Sequence, residues 1–382
     1  MKILFFSPYY YPYISGITAY PQKILSHLAK KNKIQVLTFK HKINLKNKEK
    51  LCNYSIYRMN YLFRISKGFI SPQSLIYFHK YVKKSDLIIL NQPNFEGLLL
   101  AMLGRIYRKK VISIVHCQVR LHKNIFNVLV NVVLNISFYL QLWLSQKILP
   151  TTKDYADSLM FGKIFNDKIR PVLPPISLSS PSNIFSKKLK NDKKNDIWIG
   201  YAGRIAEEKG IEYLVKSINR LDITNKNIKL VFAGSYGKNV VGEILYYKNI
   251  ISFLKLNKIK YDFFGNLSET ELASFYKAID LLVLPSINQT EAFGMVQAEA
   301  MISGTPVIAS GLPGVRMPIR MTKMGLIVEP RNPGKIKQAI LKILNNKNEY
   351  SNKRLILNAK KLFNTINVYR FYDKLVASTI YL

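Results

Sequence analysis

The stretch Glu291-Ala292-Phe293-Gly294-Met295-Val296-Gln297-Ala298-Glu299-Ala300-Met301, followed by Gly304-Thr305-Pro306-Val307-Ile308-Ala309, holds two carboxylates eight positions apart around a glycine. An Ala/Met run of helical character follows the glycine, and a Gly-Thr-Pro turn then enters a short apolar strand. Were helical geometry to hold from one glutamate to the other, they would stand about 12 Å apart along the axis and about 80° apart around it. Gly294 lets backbone approach a ligand closely, and the N–H groups after it open a helix whose N-terminus attracts phosphate. Glu291, before that terminus, is positioned to accept hydrogen bonds from sugar hydroxyls. Glu299, further in and near the face of Met295, is positioned to take a diol with both oxygens. An elongated ligand with hydroxyls at both ends and negative charge between them, such as a nucleotide sugar, suits this pattern. A helix cap followed by a solvated glutamate accounts for either carboxylate alone, but less well for the whole string.

Outward from this stretch, apolar β-branched runs alternate with helical patterns along the chain, which predicts parallel sheets with helices on both faces. The expected strands of a first series are 2–6, 34–39, 87–90, 111–115 and 147–149. A second series is expected at 198–201, 229–232, 261–264, 281–284, 306–309 and 325–328. Between the series lies Pro171-Val172-Leu173-Pro174-Pro175 and then a lysine-rich polar stretch, the composition of an interdomain connection. The expected division is therefore 1–175 and 176–364, with 365–382 forming an aromatic C-terminal helix. At 382 residues, two domains of ordinary size are expected.

Several segments resemble the retaining glycosyltransferases of family 4, whose signature is E-x7-E. The 291–301 string is one. Gly200-Tyr201-Ala202-Gly203-Arg204-Ile205 followed by Glu208-Lys209-Gly210 is similar to the family's strand and loop that hold a diphosphate. Phe232-Ala233-Gly234-Ser235-Tyr236-Gly237 resembles its second strand end, and Phe263-Phe264-Gly265-Asn266-Leu267 the segment whose backbone meets the nucleobase. The resemblance implies a GT-B fold: α/β, with two Rossmann-like, doubly wound parallel-sheet domains facing a cleft and a C-terminal helix that returns to the first domain. It implies that Glu299 holds the ribose and that Arg204 and Lys209, beside Gly203, hold the diphosphate. Glu291 and the N–H groups around Phe293, Gly294, Met295 and Val296 would orient the sugar, Leu267 would meet the base, and His116 and Gly16 would approach from the first domain.

The chain also departs from the family. Ser15 stands where a first glycine is common before Gly16, Cys117-Gln118 follow His116 where an acidic residue is usual, and Val315-Arg316 follow Gly314 where many relatives carry a glutamate. Two further readings of single residues accompany these. His116 competes with an ordinary buried histidine, and Glu207 and Glu208 are expected to be solvated. No D-x-D occurs, so no metal or other cofactor is expected, and Arg204 and Lys209 would take the charge of the leaving group.

Charge and composition narrow the setting. The formal charge is +36, from 58 basic and 22 acidic side chains. The first 150 residues carry 23 Lys and Arg against Glu49, Asp86 and Glu96 alone. Such a surface concentrates on polyanions, anionic lipid among them. Nucleic-acid binding would rest on charge alone, since the basic residues are diffuse and neither zinc spacing nor an RNA-recognition aromatic motif occurs. An epimerase of the same fold, or an inactive partner subunit, is the other alternative. Cys52 and Cys117 make no metal spacing and read as free thiols. Lys2 precedes only four apolar residues before Ser7-Pro8, too short for a secretory segment.

Ile125–Leu144 is a 20-residue stretch without charge. Asn127, Asn131 and Asn135 form a polar stripe along it, continued by Ser137, Gln141 and Ser145. That stripe argues against a membrane span and leaves two readings, a buried amphipathic helix or a helix lying partly in the membrane interface. The expected partners are a nucleotide sugar, a saccharide or lipid-linked acceptor and an anionic membrane surface. The expected location is cytoplasmic, peripheral on the inner face of the cell membrane.

Overall fold

The chain divides into two compact units, Met1–Pro175 with Thr365–Leu382, and Ile176–Asn364. The structure, a computed structural model, describes residues 1–13, 15–65, 68–119, 125–219, 227–240 and 242–378, with backbone only at 125–127 and 239. Lys123 and the Asn127 side chain thus lie outside the described residues.

The first unit is built on a seven-stranded sheet. Its strands are β1 (Lys2–Phe6), β2 (Lys33–Phe39), β3 (Lys48–Leu51), β4 (Tyr54–Met59), β7 (Leu87–Gln92), β8 (Lys110–Val115) and β9 (Lys147–Pro150), in spatial order β3-β4-β2-β1-β7-β8-β9. A separate antiparallel pair is β5 (Phe63–Ile65) and β6 (Gly68–Ile70). All neighbours in the large sheet run parallel except β3 with β4. Alternate side chains of the central strands pack to opposite faces, as the two-residue strand period requires. Ile3, Phe5, Ile34 and Val36 meet the helices Gly16–Leu28 and Thr365–Ser378. Leu4, Phe6, Leu37 and Ile88 meet Phe78 and Val82 of the helix Gln73–Lys83 and Leu100 of the helix Gly97–Ile106. The C-terminal helix is held to Gly16–Leu28 by a Tyr20–Tyr372 hydroxyl contact of 2.9 Å and by His27 with Asp373 at 3.0 Å.

Strands β3 to β6 were not expected. They lie in 48–70, where Arg58 and Lys48 break the apolar pattern. Arg58 is nonetheless wholly buried, because Glu49 neutralises it at 2.7 Å and the carbonyls of Tyr11 and Lys46 accept from it at 2.8 and 3.0 Å. A buried charge is tolerated only with such partners.

The second unit carries six parallel strands, β10 (Ile197–Ala202), β11 (Ile228–Ala233), β12 (Lys260–Gly265), β13 (Leu281–Leu284), β14 (Val307–Ser310) and β15 (Gly325–Val328). Their order is β12-β11-β10-β13-β14-β15, so the winding reverses between β10 and β13. In the first sheet the reversal falls between β1 and β7. Ligands of open parallel sheets bind beyond the carboxyl ends of the strands at such a reversal.

The 20-residue segment forms one helix, Ile125–Leu144. Its polar stripe faces inward. Ser137 donates to the Phe95 carbonyl at 2.9 Å, and the Gln141 amide nitrogen donates to the Asn94 carbonyl at 2.9 Å. Gln92 donates to the Gln141 carbonyl oxygen at 2.5 Å, and Gln118 to Asn135 at 2.7 Å. Phe138 and Leu142 are buried on the inward side, whereas Leu129, Val132, Val133, Ile136, Leu140 and Trp143 are exposed, so the helix meets the first reading only in part. Among the described residues, no helix is long and apolar enough to cross a membrane.

Candidate functional site

Three adjacent strands of the second sheet each end in a glycine with positive φ: Gly203 (141°), Gly234 (131°) and Gly265 (69°). The Gly203 N–H donates to the Ala233 carbonyl at 2.8 Å and the Gly234 N–H to the Gly265 carbonyl at 2.7 Å, which carries the pairing past the sheet. A Cβ on Gly234 would lie 2.1 Å from the Gly203 carbonyl oxygen, so only glycine permits this approach. Arg204 leaves at the end of β10 with its side chain 47% exposed, and its guanidinium pairs with Glu208 at 2.8 Å. The expectation that Glu208 is solvated is therefore corrected; its carboxylate partners the cation that the sequence singled out. The buried Tyr201 hydroxyl donates to the Arg204 carbonyl at 2.8 Å. Its pKa is pushed up by burial first and then by the charges of Glu291 and Glu208, so these carboxylates lie around it. Leu267 follows β12, half-buried, beside Asn266, which accepts from the Ser235 hydroxyl at 2.8 Å.

Across the reversal, Lys209 meets Glu291. Their charged atoms stand 2.6 Å apart, with the two side chains 18% and 17% exposed. The loop after β13 is tied to the loop after β10 by the Ile287 N–H, which donates to the Glu208 carbonyl at 3.1 Å. Two residues 82 positions apart in sequence thus form a half-sheltered ion pair at the carboxyl end of the sheet.

The helix Met295–Ile302 begins after Gly294, whose φ is 74°. A Cβ there would stand 2.4 Å from a Leu284 methyl and 2.8 Å from the Gln297 amide nitrogen. Gln297 is wholly buried, and its amide nitrogen donates to the Phe293 and Val315 carbonyls, each at 2.9 Å. The loop and helix start are therefore fixed. The first N–H groups, at Met295 and Val296, are those a helix leaves without an intrahelical partner. Because the helix starts at Met295, Glu291 lies in the preceding loop, and helical spacing does not run between the two glutamates. Glu299 lies one turn in. Its carboxylate accepts from the Tyr276 hydroxyl at 2.8 Å. Tyr276 is wholly buried, and burial followed by the Glu299 charge raises its pKa well above the ordinary value.

In the first unit the histidine has an equally definite setting. His116 follows β8 and its Nε2 lies 2.7 Å from Asn91 Oδ1. The Asn91 amide nitrogen donates to the Ser7 hydroxyl at 3.0 Å and to the Ile17 carbonyl at 3.1 Å. A carbonyl only accepts, so the contact with Ile17 fixes the amide orientation, and Asn91 Oδ1 in turn requires a proton on His116 Nε2. Nδ1 is then the unprotonated nitrogen. Burial pushes the pKa of His116 down to about 3, so the ring is neutral at ordinary pH. Gly16 opens the helix Gly16–Leu28 and is exposed, one residue before the Ile17 whose carbonyl Asn91 holds. Ser15, in the place of the family's first glycine, is the cap: its N–H donates to Thr18 Oγ1 at 3.0 Å. Cys117 is buried and Cys52 exposed, and the two are not joined in a disulfide.

The structure thus joins Lys209 to Glu291, sets Arg204 and Gly203 on the neighbouring loop, and gathers Phe293, Gly294, Met295, Val296 and Glu299 at one helix start. Gly16 and His116 lie in the other unit, linked through Asn91. Sequence reasoning missed Tyr276, Asn91 and the pairing of Glu208. Tyr276 and Asn91 sit in a helix and a strand with no motif around them, and carried no signal of their own.

This architecture is that of a GT-B protein. It superposes on the crystal structure of Anabaena HepE in complex with UDP and glucose with a TM-score of 0.79, at 16% identity over 99% of this chain and 100% of that one. It superposes on sucrose-phosphate synthase of Thermosynechococcus elongatus with a TM-score of 0.75, at 18% identity over 99% of each chain. In sequence, residues 182–362 match the model of the glycosyl transferases group 1 family. An uncharacterized glycosyltransferase of Methanocaldococcus jannaschii is 27% identical over 91% of this chain and 89% of its own length. A second from that organism is 30% identical over 57% of this chain, which spans about half of that relative (52%). The likeness to that family thus rests on 182–362, a little under half of the chain, and the solved structures show the fold.

Proposed function

We propose that this protein is a retaining glycosyltransferase that moves a sugar from a nucleoside diphosphate sugar to a saccharide or lipid-linked acceptor in the synthesis of surface polysaccharide or glycolipid. The observation that carries this reading is the Lys209–Glu291 pair at the strand-order reversal, between the Arg204 loop and the helix start at Gly294. A diphosphate arriving there offers Lys209 a partner of higher charge and frees Glu291 to accept from sugar hydroxyls. Arg204 and Lys209 then neutralise the charge that grows on the departing diphosphate, where fixed cations act most strongly. The N–H groups at Met295 and Val296 face anionic oxygen, and Glu299, held by Tyr276, binds the ribose diol.

In the first unit His116 is a neutral ring whose Nδ1 can accept a hydrogen bond from a hydroxyl, and Gly16 leaves backbone open to a ligand. No residue is assigned as a covalent nucleophile. The acceptor attacks from the face that the diphosphate leaves, and a phosphate oxygen takes its proton. With side-chain cations carrying the leaving-group charge, the reaction calls for no metal. The Anabaena structures hold UDP and UDP-glucose, which makes uridine donors the first to try. The acceptor stands at a membrane, and the enzyme is peripheral on its cytoplasmic face, in keeping with the basic first unit.

Thermal shift with UDP-, GDP- and ADP-sugars tests the donor, because a ligand of the folded state raises its melting point. One class is expected to stabilise the protein, and labelled sugar from it should reach acceptor with its anomeric configuration kept and with activity unchanged by chelator. No stabilisation by any class, together with no transfer, overturns the proposal; an inverted product overturns retention alone.

A further inference from the structure

The helix Ile125–Leu144 buries Phe138 and Leu142 beside its polar stripe and turns a second apolar face to solvent. Leu129, Val132, Val133, Ile136, Leu140 and Trp143 are all exposed, with Leu129 and Trp143 each at 64% and Ile136 at 55%. At 100° per residue these six fall within an arc of about 100°, along a ridge of about 20 Å. Ser137, Gln141 and Ser145 occupy the opposite side and are satisfied by hydrogen bonds within the unit. Among the described residues, the side chains within this arc are all apolar. Next to it, the helix Gly97–Ile106 exposes Met102 and Ile106, and the helix Gln73–Lys83 exposes Leu75 and Ile76. Between these last two helices runs an open, mostly apolar groove of about 510 Å³. Exposed apolar side chains grouped on three neighbouring helices in this way mark an interaction surface.

Charge identifies what covers it. The three helices contain no acidic residue. Cations border the face: Lys80, Lys83 and Lys84 at the end of Gln73–Lys83, and Arg105 and Arg108 at the end of Gly97–Ile106, all exposed. Lys168 donates to the Trp143 carbonyl at 2.6 Å and is close enough to Arg105 for that charge to lower its pKa, after burial. A second copy would set cations against cations in a chain of charge +36. We propose that this face of the first unit seats on an anionic lipid bilayer, with the Leu129–Trp143 ridge at the acyl boundary and the bordering lysines and arginines among the head groups. It deepens, and rests on, the membrane placement proposed above, while leaving donor use untouched.

The protein carries its own probe. It has two tryptophans; Trp198 is wholly buried in the second unit, so a change in emission on lipid addition reports Trp143. Vesicles containing phosphatidylglycerol at low salt should shift that emission to the blue and allow quenching by brominated acyl chains, whereas pure phosphatidylcholine should not. Leu129→Asp with Ile136→Asp, both at exposed positions, should weaken partitioning at least tenfold with an unchanged melting temperature and unchanged stabilisation by the donor sugar. Vesicle binding without quenching would mean that charge alone attracts the protein, and would overturn the assigned face. So would a dimer in light scattering in which Trp143 is already shielded. Loss of donor stabilisation in the wild-type protein would count against the enzymatic reading and leave the lipid result standing.

Discussion

The two sheets reverse their winding once each, and the groups at the two reversals are of opposite electrical kind. In the second unit, Lys209 and Glu291 form an ion pair that is only half sheltered. In the first, Asn91 joins β7 to the helix after β1 and holds the imidazole of His116, with every group neutral and nearly all of it buried. An ion pair that solvent still reaches in part can exchange partners when a more highly charged ligand arrives. A buried neutral network has no such freedom; it sets orientation and tautomer. The second unit therefore has the means to respond to a diphosphate, and the first the means to hold a hydrogen-bonding edge still.

The difference is broken most directly at the ion pair. Lys209→Ala is expected to lower kcat by about 10²–10³-fold, the usual cost of removing one preorganised group that stabilises transition-state charge. Arg204→Ala should cost less, about tenfold, because its side chain is 47% exposed and already engaged with Glu208. Single-turnover rates with saturating donor read both. Equal, small effects would show that the pair is only structural and that the contrast between the reversals is not one of function.

The next effect separates binding from chemistry. Glu299→Ala removes the ribose acceptor while leaving the cations intact, so the donor KM should rise about 10–100-fold with kcat little changed. This is the range of one or two hydrogen bonds to a charged group. A fall in kcat at unchanged KM would instead move Glu299 into the chemical step.

The neutral network is probed by acid. The pKa of His116 in the folded chain, about 3, lies below the 6.5 of a solvated imidazole, so the unfolded chain binds the proton first as pH falls. The stability tied to this neutral ring is complete above pH 6.5 and is lost between 6.5 and about 3, at up to about 1.4 kcal/mol per pH unit. His41, lowered to about 4 chiefly by burial, acts in the same direction. Glu96, raised to about 7 by burial, acts oppositely, favouring the fold at low pH and losing that contribution as pH rises through 7. Comparing urea midpoints of wild type and His116→Gln from pH 7.5 to 4.5 cancels both, and the variant should show the shallower acid slope.

How much of this was legible in the sequence follows from the range of each interaction. The central strands β1, β2 and β7 to β15 are apolar runs, and a run shows itself locally. Strands β3 to β6 do not, because what permits Arg58 inside is a partner on a neighbouring strand and carbonyls from two loops. The Ile125–Leu144 helix had a readable length and a readable amide stripe. Periodicity separates two faces without saying which turns inward, and here the carbonyls of Asn94 and Phe95 drew the amides in. At the site, the glycines and charged residues after β10 and β13 could be named from their motifs. The meeting of Lys209 with Glu291 depends on the strand order that brings β10 beside β13.

The smallest effect concerns a residue with no motif at all. Tyr276 touches Glu299 and, in the proposed complex, nothing of the substrate, so it is a positioning residue. Tyr276→Phe removes the 2.8 Å hydrogen bond and keeps the ring that fills the core. Glu299 then keeps its charge and loses its orientation, which should raise the donor KM a few-fold at constant kcat and lower stability by about 1 kcal/mol. In the Glu299→Ala background the same change should leave KM alone, since no carboxylate remains to be oriented. An equal rise in KM in both backgrounds would show that Tyr276 acts by packing, and that the ribose carboxylate is held by the helix start rather than by its buried neighbour.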